Sequence, residues 1–160
     1  MKSTDVLNMI DEKYALFGFF FSFNNKLQNT GDAFYEEITC KQFFLMACMD
    51  LFKDNPPTAN DLAKVMGCSR QNVKEILTSL EKKGFVTLVS HKDDRRKRIV
   101  ILTEKARQVA EKYSAKESEF IERLYNGVTD EEIKSTYYFL AKLEENLNIL
   151  NEEIIKWKLL

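Results

Sequence analysis

The sequence predicts a mainly α-helical chain carrying one small β-hairpin, and three observations lead there. The 160 residues contain only two prolines and five glycines, too few turn-formers for an all-β fold. Apolar residues make up 44% and charged residues 31%, which is too hydrophobic for a disordered chain. Short boxes of the form Ser/Thr-x-x-Glu/Gln/Asp/Asn recur just ahead of runs with helical apolar spacing, and glycines close several of those runs. The length suits one domain of ordinary size.

Six helices and a hairpin follow in order. From Asp5 to about Gln28, Val6, Ile10, Tyr14, Phe17 and Phe21 repeat at helical spacing, while Leu16, Phe19, Phe20, Phe23 and Leu27 add a second apolar face. A helix apolar on more than one face is expected to be buried on two sides. The polar stretch Asn29 to Glu37, which contains Gly31, reads as a loop. Thr39 and Gln42 box a second helix through Phe43, Leu45, Met46 and Met49 to Phe52. Past Pro56-Pro57, Thr58 and Asp61 open a short helix that Gly67 closes. Ser69 and Asn72 open the next, with Val73, Ile76, Leu77 and Leu80 on its buried face and Gly84 at its C-terminal cap. Two helices separated by Gly67-Cys68-Ser69 read as a helix-turn-helix. Phe85–Val89 and Lys97–Leu102 are β-prone runs joined by the charged segment Ser90–Arg96, a hairpin with a basic tip. Thr103 begins a helix to about Asn126, Gly127 ends it, and Thr129 with Glu132 caps the last one. There Ile133, Leu140, Leu147 and Ile154 are seven apart, and Thr136, Leu143, Leu150 and Trp157 form a second register three residues on, an a/d seam. This seam and the doubly apolar first helix exceed what one small domain covers. The two chain ends are therefore expected to bury each other across the interface of a homodimer.

The net charge of −1 conceals a segregation. Residues 64–107 hold twelve Lys or Arg against five Asp or Glu, a local charge of +7, between flanks of −4 each. Such a field draws a phosphate backbone to one face while the acidic ends stay clear of it. The longest apolar run, Tyr14–Phe23, is about half of a membrane span, and no basic leader precedes it, so no membrane partner or targeting segment is expected. Cys40, Cys48 and Cys68 are odd in number and lack Cys-x-x-Cys spacing, which favours a reducing cytoplasm over a disulfide framework. The irregular spacing of these cysteines and His91, the single histidine, disfavours a zinc site. No Gly-rich phosphate loop or nucleophile elbow is present. Neither enzymatic chemistry nor a cofactor is expected.

Four strings then match in order. Ile38-Thr39-Cys40-Lys41-Gln42 fits I/L-T-x-x-Q, and Thr58, Leu62, Ala63 and Gly67 fit T-x-x-x-L-A-x-x-x-G. Ser69, Val73, Leu77, Leu80, Glu81, Gly84, Phe85 and Val86 fit the recognition helix and its exit, and Asp94 to Thr103 fits the wing, D-x-R-x-x-x-x-x-L-T. In these strings the chain resembles the MarR family of winged helix-turn-helix transcriptional regulators, most specifically from Ile38 to Ala106. Ala106 stands where the family often has glycine, and alanine is the better helix former. The resemblance implies a winged helix-turn-helix domain over 38–106, flanked by dimerisation segments at 1–37 and 107–160. It implies a dimer on a pseudo-palindromic operator in double-stranded DNA, acting as a repressor. It also implies a small, often aromatic effector between the dimer helices and the winged domain.

Ser69, Arg70, Gln71, Asn72 and Lys74 are the candidate DNA contacts on the recognition helix, since its first turns enter the major groove. Arg suits guanine, Gln and Asn suit adenine, and Ser69 and Lys74 suit phosphate. Strand alternation at the wing is expected to send Arg96 and Arg98 to one face and Arg95 and Lys97 to the other. The resemblance makes Arg96 the minor-groove side chain and Asp94 its buttress, with His91 and Lys92 as secondary phosphate contacts. Phe17, Phe20, Phe21, Phe43, Phe44, Met46 and Tyr113 are candidates to line an effector space, against the plainer alternative that they are core. Two rival readings remain: redox control through Cys40, Cys48 or Cys68, and a winged-helix protein-interaction module that does not bind DNA.

Overall fold

The computed structural model describes Asp5 and residues 9–53, 55–91 and 96–158. Its elements are α1 (Glu12–Phe34), α2 (Cys40–Met49), a 3₁₀ turn (Asp50–Phe52), α3 (Ala59–Met66), α4 (Arg70–Lys82), β1 (Val86–Ser90), β2 (Arg98–Leu102), α5 (Glu104–Leu124) and α6 (Asp130–Lys158). They fall into two compact units, one up to Glu111 and one from Lys112 to Leu160.

The caps explain most of the boundaries. Thr39 and Gln42 exchange hydrogen bonds at 3.2 Å each, and Thr58 and Asp61 do the same at the head of α3. Ser69 Oγ accepts from the Asn72 N–H at 3.2 Å, which opens α4. Gly67 ends α3 at φ +62°, a left-handed conformation that a Cβ disfavours, so the turn into α4 stays short. In the second unit Thr129 and Glu132 cap α6 in the same reciprocal way.

The first helix departs from expectation at both ends. It starts at Asp11, whose carboxylate accepts from the Lys13 N–H, and it continues to Phe34 through much of the expected loop. The reason is tertiary. A Cβ on Gly31 would lie 2.5 Å from Cys40 Sγ, so glycine here permits α1 to run on directly against the head of α2. Helix propensity, which disfavours glycine, is overridden by that contact. The second helix is α-helical only to Met49 and tightens into the 3₁₀ turn up to Phe52.

The core of the first unit is built where the helical spacing placed it. Leu45, Leu62, Val73, Leu77, Leu80, Phe85, Val86 and Val100 are fully buried, with α2 packed on α3 and α4 and with β1 on α4. Each such side chain contributes roughly 1.5–3 kcal/mol by leaving water. The hairpin pairs Val86 with Leu102 through Ser90 with Arg98 in antiparallel register, one residue later at each strand's start than the sequence reading. A further pairing was not expected: the Val100 N–H donates to the Pro57 carbonyl at 2.8 Å, and Thr58 bridges Ile99. The segment entering α3 thus lies along the free edge of β2.

Among the described residues, neither apolar face of α1 is buried. Tyr14, Phe17 and Phe21 are 74%, 62% and 62% exposed, and Gly31 is the helix's buried residue. In the second unit, Ile133, Leu140, Leu147 and Ile154 are likewise exposed along α6.

Candidate nucleic-acid interface

The Ser69 cap and the Gly67 turn hold α4 so that its first two turns stand in solvent: Ser69, Arg70, Gln71, Asn72, Lys74 and Glu75 are all exposed. Their environments differ. Arg70 and Lys74, one turn apart, share a cleft of about 440 Å³ with Arg96, Lys97 and Arg98 of the wing. Thr58, Ala59 and Asn60 at the head of α3 and Leu77, Thr78 and Leu88 complete it, and among the described residues no carboxylate lines it. Five cations around one apolar-floored groove make a strongly positive surface where the local dielectric is lower than in bulk water.

The cations of the wing are brought together rather than divided. Strand geometry begins only at Arg98, so alternation does not operate at Arg96 and Lys97, and both line the same cleft as Arg98. Arg98 is partly committed to structure, since its Nη2 donates to the Leu88 carbonyl across the hairpin at 2.9 Å. Lys97 also borders a second hollow with Thr58, Asn60, Asp61 and Lys64. The Asp61 carboxyl is held below the usual aspartate range, first by the Thr58 hydroxyl and N–H and then by Lys64 and Lys97. His91 is half-buried and its N–H donates to the Lys97 carbonyl at 2.9 Å, closing the base of the wing tip. Lys92, Asp94 and Arg95 lie outside the described residues, and with them the buttress role expected of Asp94.

On the other edge of α4, Gln71 Nε2 donates to Glu75 Oε1 at 3.1 Å, which orders a candidate base reader along the exposed face. Asn72 instead borders a largely apolar cavity of about 400 Å³ with Ile76, Met66 and Cys68, below Asn24, Leu27 and Gln28 of α1 and Cys40, Lys41, Phe43 and Phe44 of α2. Of the seven residues expected around an effector space, this cavity gathers Phe43 and Phe44. Phe17 and Phe21 meet edge to face on the open side of α1, Phe20 is half-buried, and Met46 and Tyr113 are buried. Cys40 and Cys68 line the cavity. Burial and then the neighbouring Asp32 push the Cys40 thiol up, and burial pushes up Cys48, so both favour the unreactive protonated form. Among the described residues no group of three His, Cys, Asp or Glu side chains is placed to hold a metal ion.

Sequence reasoning missed Thr58, Ala59, Asn60 and Thr78 as walls of the cationic cleft. The signal lay in the Pro56-Pro57 stop, which puts an extended segment directly before α3, but its pairing with β2 is a long-range contact that local patterns do not carry.

Residues 38–97, spanning α2 to the start of the wing's second strand, match the MarR family model. This stretch is a MarR-family domain. Several solved structures share its fold. A MarR/EmrR family transcriptional regulator from Acinetobacter sp. ADP1 superposes with TM-score 0.76 at 18% identity, covering 87% of this chain and 99% of that one. The MepR–DNA complex of S. aureus gives TM-score 0.71 at 21% identity over 81% and 94% of the two chains. PcaV from Streptomyces coelicolor, in complex with its natural ligand, gives TM-score 0.69 at 15% identity over 84% and 93%. These neighbours share the fold of this chain, and the MarR-family stretch coincides with its winged helix-turn-helix. No helix among the described residues is long and apolar enough to cross a membrane.

Proposed function

We propose that this chain is a MarR-family regulator, a homodimeric, sequence-specific repressor on a pseudo-palindromic operator, released by a small apolar effector. The observation that carries the DNA part is the cleft that gathers Arg70 and Lys74 of α4 with Arg96, Lys97 and Arg98 of the wing, with no carboxylate among the described residues that line it. A protein-interaction surface has no need of five converging cations, whereas a phosphate backbone flanked by a major and a minor groove does. MepR, with a similar fold, has been crystallised on DNA.

In this reading the first turns of α4 enter the major groove, where Arg70 reads guanine and Gln71, ordered by Glu75, reads adenine. Arg96 enters the flanking minor groove and reads its width. Lys74 and Lys97 neutralise phosphates, and Ser69, His91 and Lys92 add secondary contacts. The uncovered aromatic face of α1 and the heptad seam of α6 supply the dimer interface, which would place two recognition helices on one face of the duplex. The effector occupies the cavity between α1, α2 and the head of α4, against Phe43 and Phe44. PcaV is a neighbour of the same fold that binds a ligand.

Selection of bound duplexes from random DNA, followed by a salt titration of the selected site, tests the reading. A dimer that neutralises about eight phosphates loses affinity with a log–log slope near −7. Lys97→Ala flattens that slope by about one to two units per dimer. An affinity independent of salt refutes DNA binding by this surface.

A further inference from the structure

Gln42 is the one buried polar side chain among the described residues, at 7% exposure, and its amide is engaged from three directions. Oε1 accepts from the Thr39 N–H at 3.2 Å and from Lys83 Nζ at 3.0 Å, while Nε2 donates to Ser79 Oγ at 2.9 Å. Lys83 Nζ also donates to the Glu37 carbonyl at 2.9 Å, and the Lys83 carbonyl accepts from Lys105 Nζ at 3.1 Å. One amide therefore ties the head of α2 to the last turn and cap of α4, the helix whose first turn carries Arg70.

The placement around α4 gives this tie a mechanical meaning. At 100° per residue, Ser79 and Lys83 flank one side of the Val73–Leu77–Leu80 seam, and Arg70 and Lys74 flank the other. The apolar seam fixes how deep the helix sits, but hydrophobic burial is non-directional and tolerates rotation about the helix axis. A hydrogen bond loses most of its strength when bent or stretched, so the Gln42 amide resists that rotation. A turn of about 15° carries a side-chain tip about 6 Å from the axis through roughly 1.5 Å, enough to break a bidentate contact to a base edge.

We propose that Gln42 is a positioning residue for base reading, holding Ser79 and Lys83 so that α4 presents Arg70 and Gln71 at one fixed rotation. This rests on the DNA-reading role proposed above for α4. Gln42 touches no base or phosphate in this scheme; it sets discrimination between sequences, not general attraction to DNA.

The test uses the full-length chain, the duplex it selects from random DNA and a scrambled duplex of equal length, at one salt concentration. The ratio of the two affinities is measured for wild type, Gln42→Met, Gln42→Glu and Ser79→Ala. Gln42→Met, which keeps the shape and loses all three hydrogen bonds, lowers the ratio at least tenfold. Ser79→Ala lowers it about threefold to fivefold, with scrambled-duplex affinity within twofold of wild type in both. Gln42→Glu keeps the ratio within threefold, because a carboxylate still accepts from Thr39, Lys83 and the Ser79 hydroxyl. Melting temperature is the structural control. Ser79→Ala is expected to melt within a few degrees of wild type, since alanine's helix propensity offsets the lost bond, so it decides the question if Gln42→Met fails to fold. A ratio within twofold of wild type in Ser79→Ala and in folded Gln42→Met overturns the proposal, as does a Gln42→Glu loss as deep as that of Gln42→Met. If wild type itself does not discriminate between the duplexes, the DNA reading of α4 falls and the positioning role falls with it.

Discussion

Arg70 and Arg96 line one cleft, yet a base edge and a narrow groove ask different things of a guanidinium. Arg70→Ala is expected to relax preference at one symmetric pair of operator positions by about 1–3 kcal/mol, with only a phosphate-sized loss on unrelated DNA. Arg96→Ala is expected to weaken all operator variants alike, by about 1–3 kcal/mol per half-site. A binding matrix of both variants against single-base substitutions separates the two, and unchanged affinity of Arg96→Ala rejects the wing assignment. Asp61 supports the same cleft from behind through the Thr58 cap. Its carboxyl titrates below the ordinary aspartate value in the folded chain, so its stabilisation is complete above about pH 3.9 and is lost as pH falls through the lower folded value. Asp61→Asn should therefore flatten the acid limb of a stability–pH curve below about pH 4, measured by urea unfolding at stepped pH. An acid limb identical to wild type rejects the coupling. The cap pairs that support these residues were legible in the sequence, because a reciprocal box is a four-residue pattern. The convergence of Arg96, Lys97 and Arg98 was not, because it depends on where strand geometry begins.

Among the elements, α1 and the wing were both reshaped by partners distant in sequence. The last two turns of α1 cross Asn29, Thr30 and Gly31, which local propensity assigns to a loop, and they form because the chain packs Gly31 against Cys40. Gly31→Ala places a methyl group 2.5 Å from Cys40 Sγ and 2.7 Å from its Cβ, contacts that only a shift of α1 or α2 relieves. Overpacking of this kind costs about 1–3 kcal/mol. Urea denaturation of Gly31→Ala should show that loss despite alanine's better helix propensity, and an unchanged or raised midpoint rejects the close approach. The wing in turn is held from three sides: β1 on α4, Arg98 on Leu88, and the Pro57–Thr58 segment on β2. This last pairing links the head of α3 to the strand that leaves the basic tip.

For the whole molecule, the unresolved burial of α1 and α6 is the decisive fact. Large aromatic side chains such as Tyr14, Phe17 and Phe21 in the first unit and Tyr137, Tyr138 and Trp157 in the second stand mostly in solvent. Exposed apolar surface on this scale marks an interaction face, and in the dimer proposed above a second copy of the chain would supply a matching one. Sedimentation of the full-length protein at micromolar concentration is expected to give a dimer. A folded monomer under those conditions rejects the dimer, and with it the paired half-sites of the proposed operator.

Residues close together in the chain carry the helix starts from α2 onward, the helix-turn-helix, the hairpin, the MarR resemblance and the basic segment. Caps and helical faces need about four residues each, and the wing motif needs ten. Tertiary structure alone decided that α1 continues through Gly31, that Pro57 and Thr58 join the wing, and that Phe43 and Phe44 line a cavity while Met46 fills the core. It also decided that Gln42, readable locally as a helix cap, reaches Ser79 and Lys83 across 37 and 41 residues of chain. Local patterns specify which backbone conformations are stable; they carry no information on which distant surfaces meet, and packing in three dimensions settles that.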